Sequence, residues 1–258
     1  MRLSFLTINA HKGFSALNRR FMLPQLRECV HEAGADVVFM QEVVGQNLRH
    51  AERYFGWPAQ PQHEYLAERS GYHHAYGRNA VYTAGHHGNA LLSRFPILHH
   101  EKADISTNRL EQRGLLYAVL ALPDGRSLHC VCLHLNLLHR SRRRQFAGVA
   151  EFIARKVPPG APLVVGGDFN EWRPRRRDEL QAGLGLRDAG LETHGRRLRT
   201  FPAVLPALPL DRIYFRGLEA RSAEVLHRGP WRGVSDHAAL LARLELADQP
   251  YLVGRRCL

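Results

Sequence analysis

The sequence predicts an α/β protein whose core is two mixed β-sheets with helices on the outside. Three observations lead to this fold class. Apolar runs of strand length recur along the whole chain. Segments with a helical stripe of apolar residues interrupt these runs. Between residues 90 and 135 several strand patterns follow one another without a helix, which a plain alternating β-α-β sheet does not do.

Eight strands are predicted from the apolar runs. Each run is bounded by glycine, proline or polar residues, as is typical of strands that bury both faces. The predicted strands cover residues 3–8, 37–40, 90–92, 115–122, 128–135, 163–165, 210–215 and 238–246.

Two of the three predicted helices have a clear apolar stripe. Residues 20–33 carry such a stripe, with Pro24 in the first turns. In residues 141–156 we expect Ser141 to cap the helix and the arginines at 142–144 to form its solvated face.

The third predicted helix begins with proline at residue 174 and ends at Gly183, because proline favours a helix start and glycine a helix end. The proline-rich stretches 158–162 and 202–209 predict loops. No internal repeat, low-complexity linker or change of composition divides the chain. We therefore expect one domain over residues 1–258.

The chain is strongly basic. It has 36 lysines and arginines against 24 acidic residues, a net charge of +12. Such a balance attracts polyanions, namely nucleic acid, an anionic membrane surface or phosphorylated metabolites. An alternative is genomic codon usage, because almost all of the excess is arginine.

The four cysteines are too few and too scattered for a disulfide framework, and no second CxxC completes a zinc site. We interpret them as small buried hydrophobic residues: Cys29, Cys130, Cys132 and Cys257. No leader is evident, and no apolar run approaches the roughly 18 residues of a transmembrane helix. We expect a cytoplasmic protein without a transmembrane segment.

Six predicted strands carry an acid, an amide or an imidazole at one end. Taken singly, each has a structural explanation as a turn residue, a cap or a buried histidine. Together they have the composition of a metal-dependent hydrolytic site. The residues are Asn9, Glu42, His134 with Asn136, Asp168 with Asn170, Asp211, and Asp236 with His237.

These side chains divide into three chemical groups. Carboxylates such as Glu42 and Asp236 are hard oxygen ligands that suit Mg²⁺ or Mn²⁺. Histidines exchange protons near neutral pH. Amides donate hydrogen bonds to phosphate oxygens without adding charge. In the stretch VVGGDFN we expect Asp168 and Asn170 to alternate across Phe169 in extended chain and to lie on one side.

The ordered motifs TIN-AHKG, MQEV, GNALLSRFP, HLN, GGDFN, LDRIYF and VSDHAAL resemble those of the endonuclease/exonuclease/phosphatase superfamily. The similarity runs from Asn9 to His237 and is greatest to a subgroup of small bacterial proteins. It implies an α/β (α+β) fold, a four-layer αββα sandwich with two mixed β-sheets packed face to face. The site would lie at one mouth of this sandwich.

The resemblance also implies roles for individual residues. Glu42 resembles the principal metal carboxylate, with Asn9 and Asp236 beside it in the metal shell. Asn170 and Asn9 match residues that contact substrate phosphate. Arg113, in the family-like segment EQRGLLY, is a further candidate for that contact, with an exposed structural arginine as the alternative.

Four further residues match the catalytic positions of the superfamily. Asp168 corresponds to the residue that orients or deprotonates water, and Asp211 to the carboxylate that fixes a histidine or a metal-bound water. His237 corresponds to a general base or a stabiliser of the transition state. His134 corresponds to an acid for the leaving oxygen.

Departures from the superfamily pattern narrow the function. His134 stands where abasic-site endonucleases carry a tyrosine-containing segment, and NAHKG lacks their usual opening, which argues against abasic-site repair. Pancreatic-type deoxyribonucleases place a glutamate where this chain has His86-His87-Gly88, so the carboxylate partner of His134 is not identified. The histidine doublets are interpreted as loop or strand-edge residues, with residues 86–87 nearest the site.

The sequence therefore predicts a phosphoester hydrolase that depends on Mg²⁺ or Mn²⁺ and acts on a phosphodiester. Two substrate classes stay open, nucleic acid and anionic lipid or its head group. A phosphate-binding protein that kept the fold without catalysis is the alternative from another class. No protein partner is indicated.

Overall fold

The computed structural model describes residues 1–108, 111–173 and 179–247, which contain two six-stranded sheets. Sheet one contains, in spatial order, β11 (Leu218–Leu226), β12 (Ala239–Leu246), β1 (Arg2–Asn9), β2 (Val37–Asn47), β4 (Gly85–Ser93) and β3 (His73–Tyr82). Sheet two contains β5 (Ile97–Asp104), β6 (Gly114–Ala121), β7 (Ser127–His134), β8 (Leu163–Asp168), β10 (Asp211–Arg216) and β9 (Arg187–Asp188). Both sheets are mixed, because β1–β2 and β7–β8 are parallel and the other pairs are antiparallel.

Helices cover the outer faces of the sheets. They are α1 (Leu23–Ala33), α2 (Leu48–Arg53), α3 (Gln62–Glu68), α4 (His139–Lys156), α5 (Glu179–Leu184) and α6 (Ala189–His194). Short 3₁₀ turns lie at His11–Gly13, Ala16–Asn18 and Gly229–Trp231. No helix in the described ranges is long and apolar enough to cross a membrane.

Apolar side chains form three buried layers. The central layer lies between the sheets and joins Phe39 of β2 to Cys130 of β7. A second layer packs Leu26 of α1 and Leu66 of α3 against sheet one. A third packs Phe152 of α4 against sheet two. This order of helices, sheet, sheet and helices confirms the predicted four-layer sandwich.

All eight predicted strands are present, and the four that the sequence did not reveal are the four sheet edges: β11, β3, β5 and β9. An edge strand presents one long side to solvent, so its sequence needs few apolar residues. The burial of β5 shows this, because no residue of Ile97–Asp104 is fully buried. Apolar runs therefore detected the interior strands only.

The first helix is shorter than predicted. It begins at Leu23 rather than at residue 20, with Pro24 in its first turn. The residues before it are held in a different way, since Phe21 pairs with Phe14 in an isolated antiparallel bridge.

The start of α4 differs from the prediction. The helix begins at His139, and its N-cap Leu138 makes no side-chain cap, so Ser141 does not cap it. Arg142 is buried instead of solvated. It donates to the carbonyls of Asn136 and Leu137 and forms an ion pair with Glu171 at 3.4 Å, which places it beneath the loop after β8.

The third predicted helix lies partly outside the described residues, at 174–178. Its described part, α5, continues through Gly183 to Leu184, and the left-handed residue that follows is Gly185, with φ of 64°. Both predicted loops are loops in the structure. Cys29, Cys130 and Cys132 are buried and free, as predicted, while Cys257 lies outside the described residues.

Strand direction brings the polar strand ends together. β1 and β2 end on one side of sheet one, and β7 and β8 end on the corresponding side of sheet two. The antiparallel strand β10 begins there, with Asp211 opposite Asp168. β12 also begins there, because it runs antiparallel to β1. We call this side of the sandwich the site edge.

Candidate active site

Asp168 is the last residue of β8, and its Oδ2 lies among three other polar side chains. Asn9 Nδ2 donates a hydrogen bond to it at 3.3 Å, and His134 Nε2 lies 3.4 Å away. His237 Nε2 is at 3.8 Å. Asn9 belongs to sheet one and Asp168 to sheet two, so this cluster joins the two sheets at the site edge.

Asp211 holds His237 from the other side of the ring. His237 Nδ1 donates to Asp211 Oδ2 at 2.9 Å, and Thr200 Oγ1 donates to the same oxygen at 2.6 Å. All three residues are buried. The arrangement fixes the ring so that Nε2 faces Asp168.

The charge state of His237 follows from these two carboxylates. Burial is the largest single effect and lowers its pKa, but Asp211 and Asp168 together outweigh it and raise the pKa to about 10. Burial raises the pKa of Asp168 against the lowering effect of His237 and His134. His237 is therefore an imidazolium at neutral pH.

His134 has the opposite character. Burial, helped by the nearby charge of Arg113, lowers its pKa to about 4, although Asp168 and Glu42 act against this. His134 is therefore neutral at pH 7, which disfavours the acid role that the resemblance implied. Asp168 is the carboxylate beside it, a partner that the sequence had left unidentified.

Arg113 lies directly before β6 at the site edge. Its Nη2 donates to Glu111 at 2.9 Å, and its buried Nε has no hydrogen-bond partner within the described residues. Its charge acts on His134 and on His87. Arg113, which the sequence predicts to contact the substrate phosphate, therefore lies close enough for its charge to act on the site.

Glu42 sits at a bulge in β2, between Met40 and Val43, where it adopts a φ of 53°. Asn9 Nδ2 lies 3.5 Å from its Oε1, and Lys12 Nζ donates to its Oε2 at 2.9 Å. Burial opposes ionisation of Glu42. His134, which is protonated in the acid range where Glu42 titrates, and Lys12 outweigh burial and hold the pKa of Glu42 well below the usual range.

The turn after β8 is not the extended chain that the sequence predicts. The strand ends at Asp168, and Asn170 has a φ of 49°. Asn170 N donates to Asp168 Oδ1 at 2.9 Å, and its side-chain Nδ2 donates to the carbonyl of Leu135 at 2.9 Å. The Asn170 side chain therefore helps to hold this turn. It does not lie on the same side of an extended chain as Asp168, contrary to the sequence prediction.

Gly166 and Gly167, at the end of β8, lie where the backbone leaves no room for a side chain. A Cβ on Gly166 would lie 2.4 Å from the ring of Phe39, and one on Gly167 would lie 2.0 Å from the carbonyl oxygen of Leu133. Neither contact is possible for a real side chain. Gly166 lets sheet two approach Phe39 of sheet one directly behind Asp168, whereas Gly167 lies against the neighbouring strand β7 of its own sheet.

Asp236 lies beside the central cluster. Its Oδ1 accepts from Ser235 Oγ at 3.3 Å and is 3.6 Å from His11 Nδ1. It lines a cleft together with exposed arginines. Its negative charge contributes to the raised pKa of His237.

Sequence reasoning gave no role to three residues of the site, although it placed His87 near it. Lys12 had a signal, since it follows Asn9 closely in INAHKG. His87 lies close enough to Glu42 for the two to interact electrostatically, and burial, together with Lys12, lowers its pKa to about 4. Thr200 had no signal, because it lies in a loop and reaches Asp211 only through the tertiary fold.

The donor set suits a divalent cation. The carboxylates of Asp168 and Asp211 have oxygens within 4.8 Å of each other, and Asp211 Oδ1 is buried without a hydrogen-bond partner in the described chain. His237 belongs to the same group, but as an imidazolium it has no lone pair to offer a cation. Glu42 adds carboxylate oxygens beside this group. Asn9 directs its Nδ2 towards Glu42 and Asp168, while its Oδ1 accepts from His11 N at 3.0 Å. Oxygen-rich sets of this kind are preferred by Mg²⁺ and Mn²⁺.

Comparison with known proteins agrees with the fold and the motifs. The uncharacterized protein YbhP of Escherichia coli K12 is 45% identical over 242 residues, which cover 93% of this chain and 95% of YbhP. An endonuclease/exonuclease/phosphatase structure from Beutenbergia cavernae superimposes with a TM-score of 0.77 at 18% identity, covering 95% of this chain and 72% of that one. D. rerio TDP2, solved with a single-strand DNA product, superimposes with a TM-score of 0.69 at 21% identity, covering 95% and 99%.

The family itself is identified by a match along the sequence. A model described as Endonuclease/Exonuclease/phosphatase family matches residues 6–237, which include every predicted site residue. The chain therefore belongs to the endonuclease/exonuclease/phosphatase family.

Proposed function

We propose that this protein hydrolyses a phosphodiester with the help of a divalent cation, Mg²⁺ or Mn²⁺. The observation that carries the proposal is the position of Asp168 Oδ2, which lies within 3.3–3.8 Å of Asn9, His134 and His237. A buried carboxylate between an amide and two imidazoles suits the activation of water beside a phosphate. Family membership supports a phosphoester hydrolase in general.

In this proposal Glu42 and Asp236 hold the cation, and Asn9 supports the site by donating from Nδ2 to Glu42 and Asp168. When bound, the cation would neutralise charge on the phosphoryl oxygens and so favour the attack of water on phosphorus. Lys12, which pairs with Glu42, keeps that carboxylate ionised and in place. Arg113 and Asn170 complete the contacts with the substrate phosphate.

The chemical step is an in-line displacement. Asp168 orients a water molecule and accepts its proton as the water oxygen bonds to phosphorus. The P–O bond to the leaving group breaks, and the departing alkoxide takes up a proton from solvent water to become an alcohol. The products are a phosphomonoester and an alcohol, and no covalent enzyme intermediate is required.

His237 acts as a charged group rather than as a base. Asp211 keeps it protonated at neutral pH, so its Nε2–H can stabilise negative charge on the phosphoryl oxygens. His134 is neutral and can accept or donate one hydrogen bond at the same oxygens or at the water. This assignment selects the transition-state role from the two that the resemblance implied for His237.

The substrate belongs to one of two classes of polyanion, nucleic acid or anionic lipid. The net charge of +12 supports both. The DNA product in the TDP2 structure supports the first class by likeness of fold alone. We also propose that residues 1–258 act as one domain, because both sheets contribute side chains to the site.

The decisive test measures turnover of bis(p-nitrophenyl) phosphate and of DNA, RNA and phospholipid with and without Mg²⁺ or Mn²⁺. Asp168→Asn should lower kcat by about 10²–10⁴-fold, the usual contribution of a positioned acid–base group. Asp124→Asn is the matched control, because Asp124 is an exposed aspartate paired only with its neighbour Arg126.

Metal binding has its own readout. Mg²⁺ or Mn²⁺ should raise the melting temperature of the wild type, since a ligand that binds only the folded state stabilises it. Glu42→Gln should reduce that increase, whereas Glu101→Gln, at a carboxylate of the edge strand β5, should not. Full activity of Asp168→Asn on every substrate would refute the proposal.

A further inference from the structure

The exposed apolar side chains of this protein are concentrated at the site edge. Eleven large hydrophobic residues are exposed within the described ranges. Ten of them lie at the strand ends of the site edge or in the segments next to those ends. The exception is Leu98 on β5. Its neighbour Ile97 pairs with Leu120 at the opposite end of sheet two.

Sheet one supplies half of these residues. Leu17 lies in the turn after β1, and Leu48 and Phe55 lie in and just after α2, which follows β2. Val81 and Tyr82 lie at the end of β3, at the tip of the hairpin with β4. The hairpin and α2 are joined by the hydrogen bond from Leu48 N to Ala84 O, at 2.9 Å.

Sheet two supplies the other half. Leu137 and Leu138 follow β7, and Trp172 follows the turn after β8. Val204 and Leu205 lie in the loop before β10. Leu17, Leu138 and Leu205 are 76%, 65% and 78% exposed, so these are not the partly covered margins of the core.

The sheet-one part of this surface stands on a packed aromatic base. The ring centroids of Phe14 and Tyr54 are 4.9 Å apart, and those of Phe21 and Trp57 are 5.2 Å apart. These contacts tie the turn that carries Leu17 to the segment that carries Phe55. The exposed residues are therefore presented by an ordered support.

Arginines accompany the apolar residues. Arg19, Arg20 and Arg232 are exposed and line one cleft with Val204 and Asp236.

Arg49 and Arg53 are exposed on α2, the helix that carries Leu48. None of these five arginines forms an ion pair with a carboxylate of residues 1–108, 111–173 or 179–247. Their charge is left free to meet an external anion.

We call the ten exposed apolar residues at the site edge the rim. We propose that the rim, with the arginines beside it, docks on the surface of an anionic lipid bilayer and that the substrate is a phosphodiester in a lipid head group. The inference rests on the proposed function. Aliphatic side chains gain free energy when they enter the acyl boundary, and arginines are attracted to anionic head groups. Docking of the rim would bring the lipid phosphate to the site edge.

The kind of apolar residue argues against nucleic acid as the main partner. Proteins that bind single strands place aromatic side chains where bases stack. Seven of the ten rim residues are leucine or valine, and three are aromatic. Leucine and valine have no aromatic face on which a base can stack, and contact with a sugar-phosphate backbone would contribute little binding free energy.

The test is sedimentation with vesicles of phosphatidylcholine, with and without phosphatidylglycerol. Wild-type protein should bind the anionic vesicles and release as salt increases. Leu137→Ser with Leu138→Ser, and separately Val204→Ser with Leu205→Ser, should each weaken binding by about tenfold or more. The matched control is Leu98→Ser, which is 63% exposed at the opposite end and should bind like wild type.

Each alternative result is distinguishable. Absence of vesicle binding, or equal binding by rim variants and Leu98→Ser, overturns the docking surface. Binding of a single-stranded oligonucleotide that is tighter than vesicle binding and insensitive to the serine substitutions assigns the surface to nucleic acid and also overturns it. Two different rim pairs guard against one variant that misfolds, and their circular dichroism should match that of the wild type.

Failure of the proposed function has a separate signature. Asp168→Asn should bind anionic vesicles like the wild type while losing hydrolysis of bis(p-nitrophenyl) phosphate. If the wild type binds vesicles but hydrolyses no phosphodiester, the catalytic proposal fails and the docking surface stands. If it hydrolyses the soluble diester but ignores vesicles and their lipids, the reverse holds.

Discussion

His237 Nδ1 lies 2.9 Å from Asp211 Oδ2, and this ion pair sets the charge of the imidazole that faces Asp168. Asp211 raises the pKa of His237, while burial lowers it. The ion pair therefore decides whether the ring is an imidazolium at neutral pH. The pair is itself held by Thr200, a residue of the loop before β10.

Asp211→Asn should remove the charge that keeps His237 protonated. With the opposing effect of burial left in place, the pKa of His237 should fall. Activity should decrease by about 10²–10⁴-fold at pH 7, and the alkaline limb of the pH profile should move to lower pH. Kinetics on bis(p-nitrophenyl) phosphate and NMR titration of His237 measure the two effects. An unchanged pH profile would show that the ion pair does not control the ring.

His63 should make the protein sensitive to acid. It is buried and stacked on Tyr76 with ring centroids 4.6 Å apart, and burial, helped by His74 and His86, lowers its pKa to about 4. An unfolded histidine binds its proton near pH 6.5, so the unfolding free energy decreases as the pH falls from about 6.5 to about 4, where the unfolded state holds a proton that the folded state does not.

The matched measurement compares His63→Gln with His73→Gln, an exposed histidine of β3. Between pH 8 and pH 5 the wild type should lose on the order of 1–2 kcal/mol of unfolding free energy through His63. In His63→Gln the unfolding free energy should decrease by that much less between the two pH values, and in His73→Gln it should decrease as in the wild type. Urea titrations at the two pH values give the difference, which is free of any constant effect of the lost stacking.

Gly166→Ala should destabilise the protein, because its Cβ would collide with the ring of Phe39. Overpacking of this kind costs about 1–3 kcal/mol. Gly148→Ala in α4 is the control, since nothing lies near its Cβ, and it should stabilise the helix by about 0.5–1 kcal/mol. Thermal and urea unfolding measure both. Equal stabilities of the two variants would contradict the close approach of the sheets.

Arg142→Met should destabilise the protein much more than Arg143→Met. Arg142 is buried and pairs with Glu171, whereas Arg143 is exposed on the next position of the same helix. Removing one partner of a buried ion pair costs about 3–5 kcal/mol, because the other charge stays buried. An exposed arginine costs within about 0.5 kcal/mol. Adding Glu171→Gln to Arg142→Met should recover part of the loss in urea titrations.

The sequence by itself determined the interior of the fold and the chemical content of the site. Strands that bury both faces need continuous apolar runs, and all eight of those runs became strands. The polar residues at the ends of six of these runs are equally local. Glu42, Asp168 and His237 are therefore recognisable from the order of residues along the chain.

The tertiary structure decided everything that depends on contacts between distant segments. The four edge strands, the burial of Arg142 and the turn at Asn170 were not predicted, because each depends on a neighbour in space rather than on local pattern. The same reason explains why Thr200 was missed. Asn9 meets Asp168 across 159 residues of chain, and only the packing of the two sheets brings that pair within 3.3 Å.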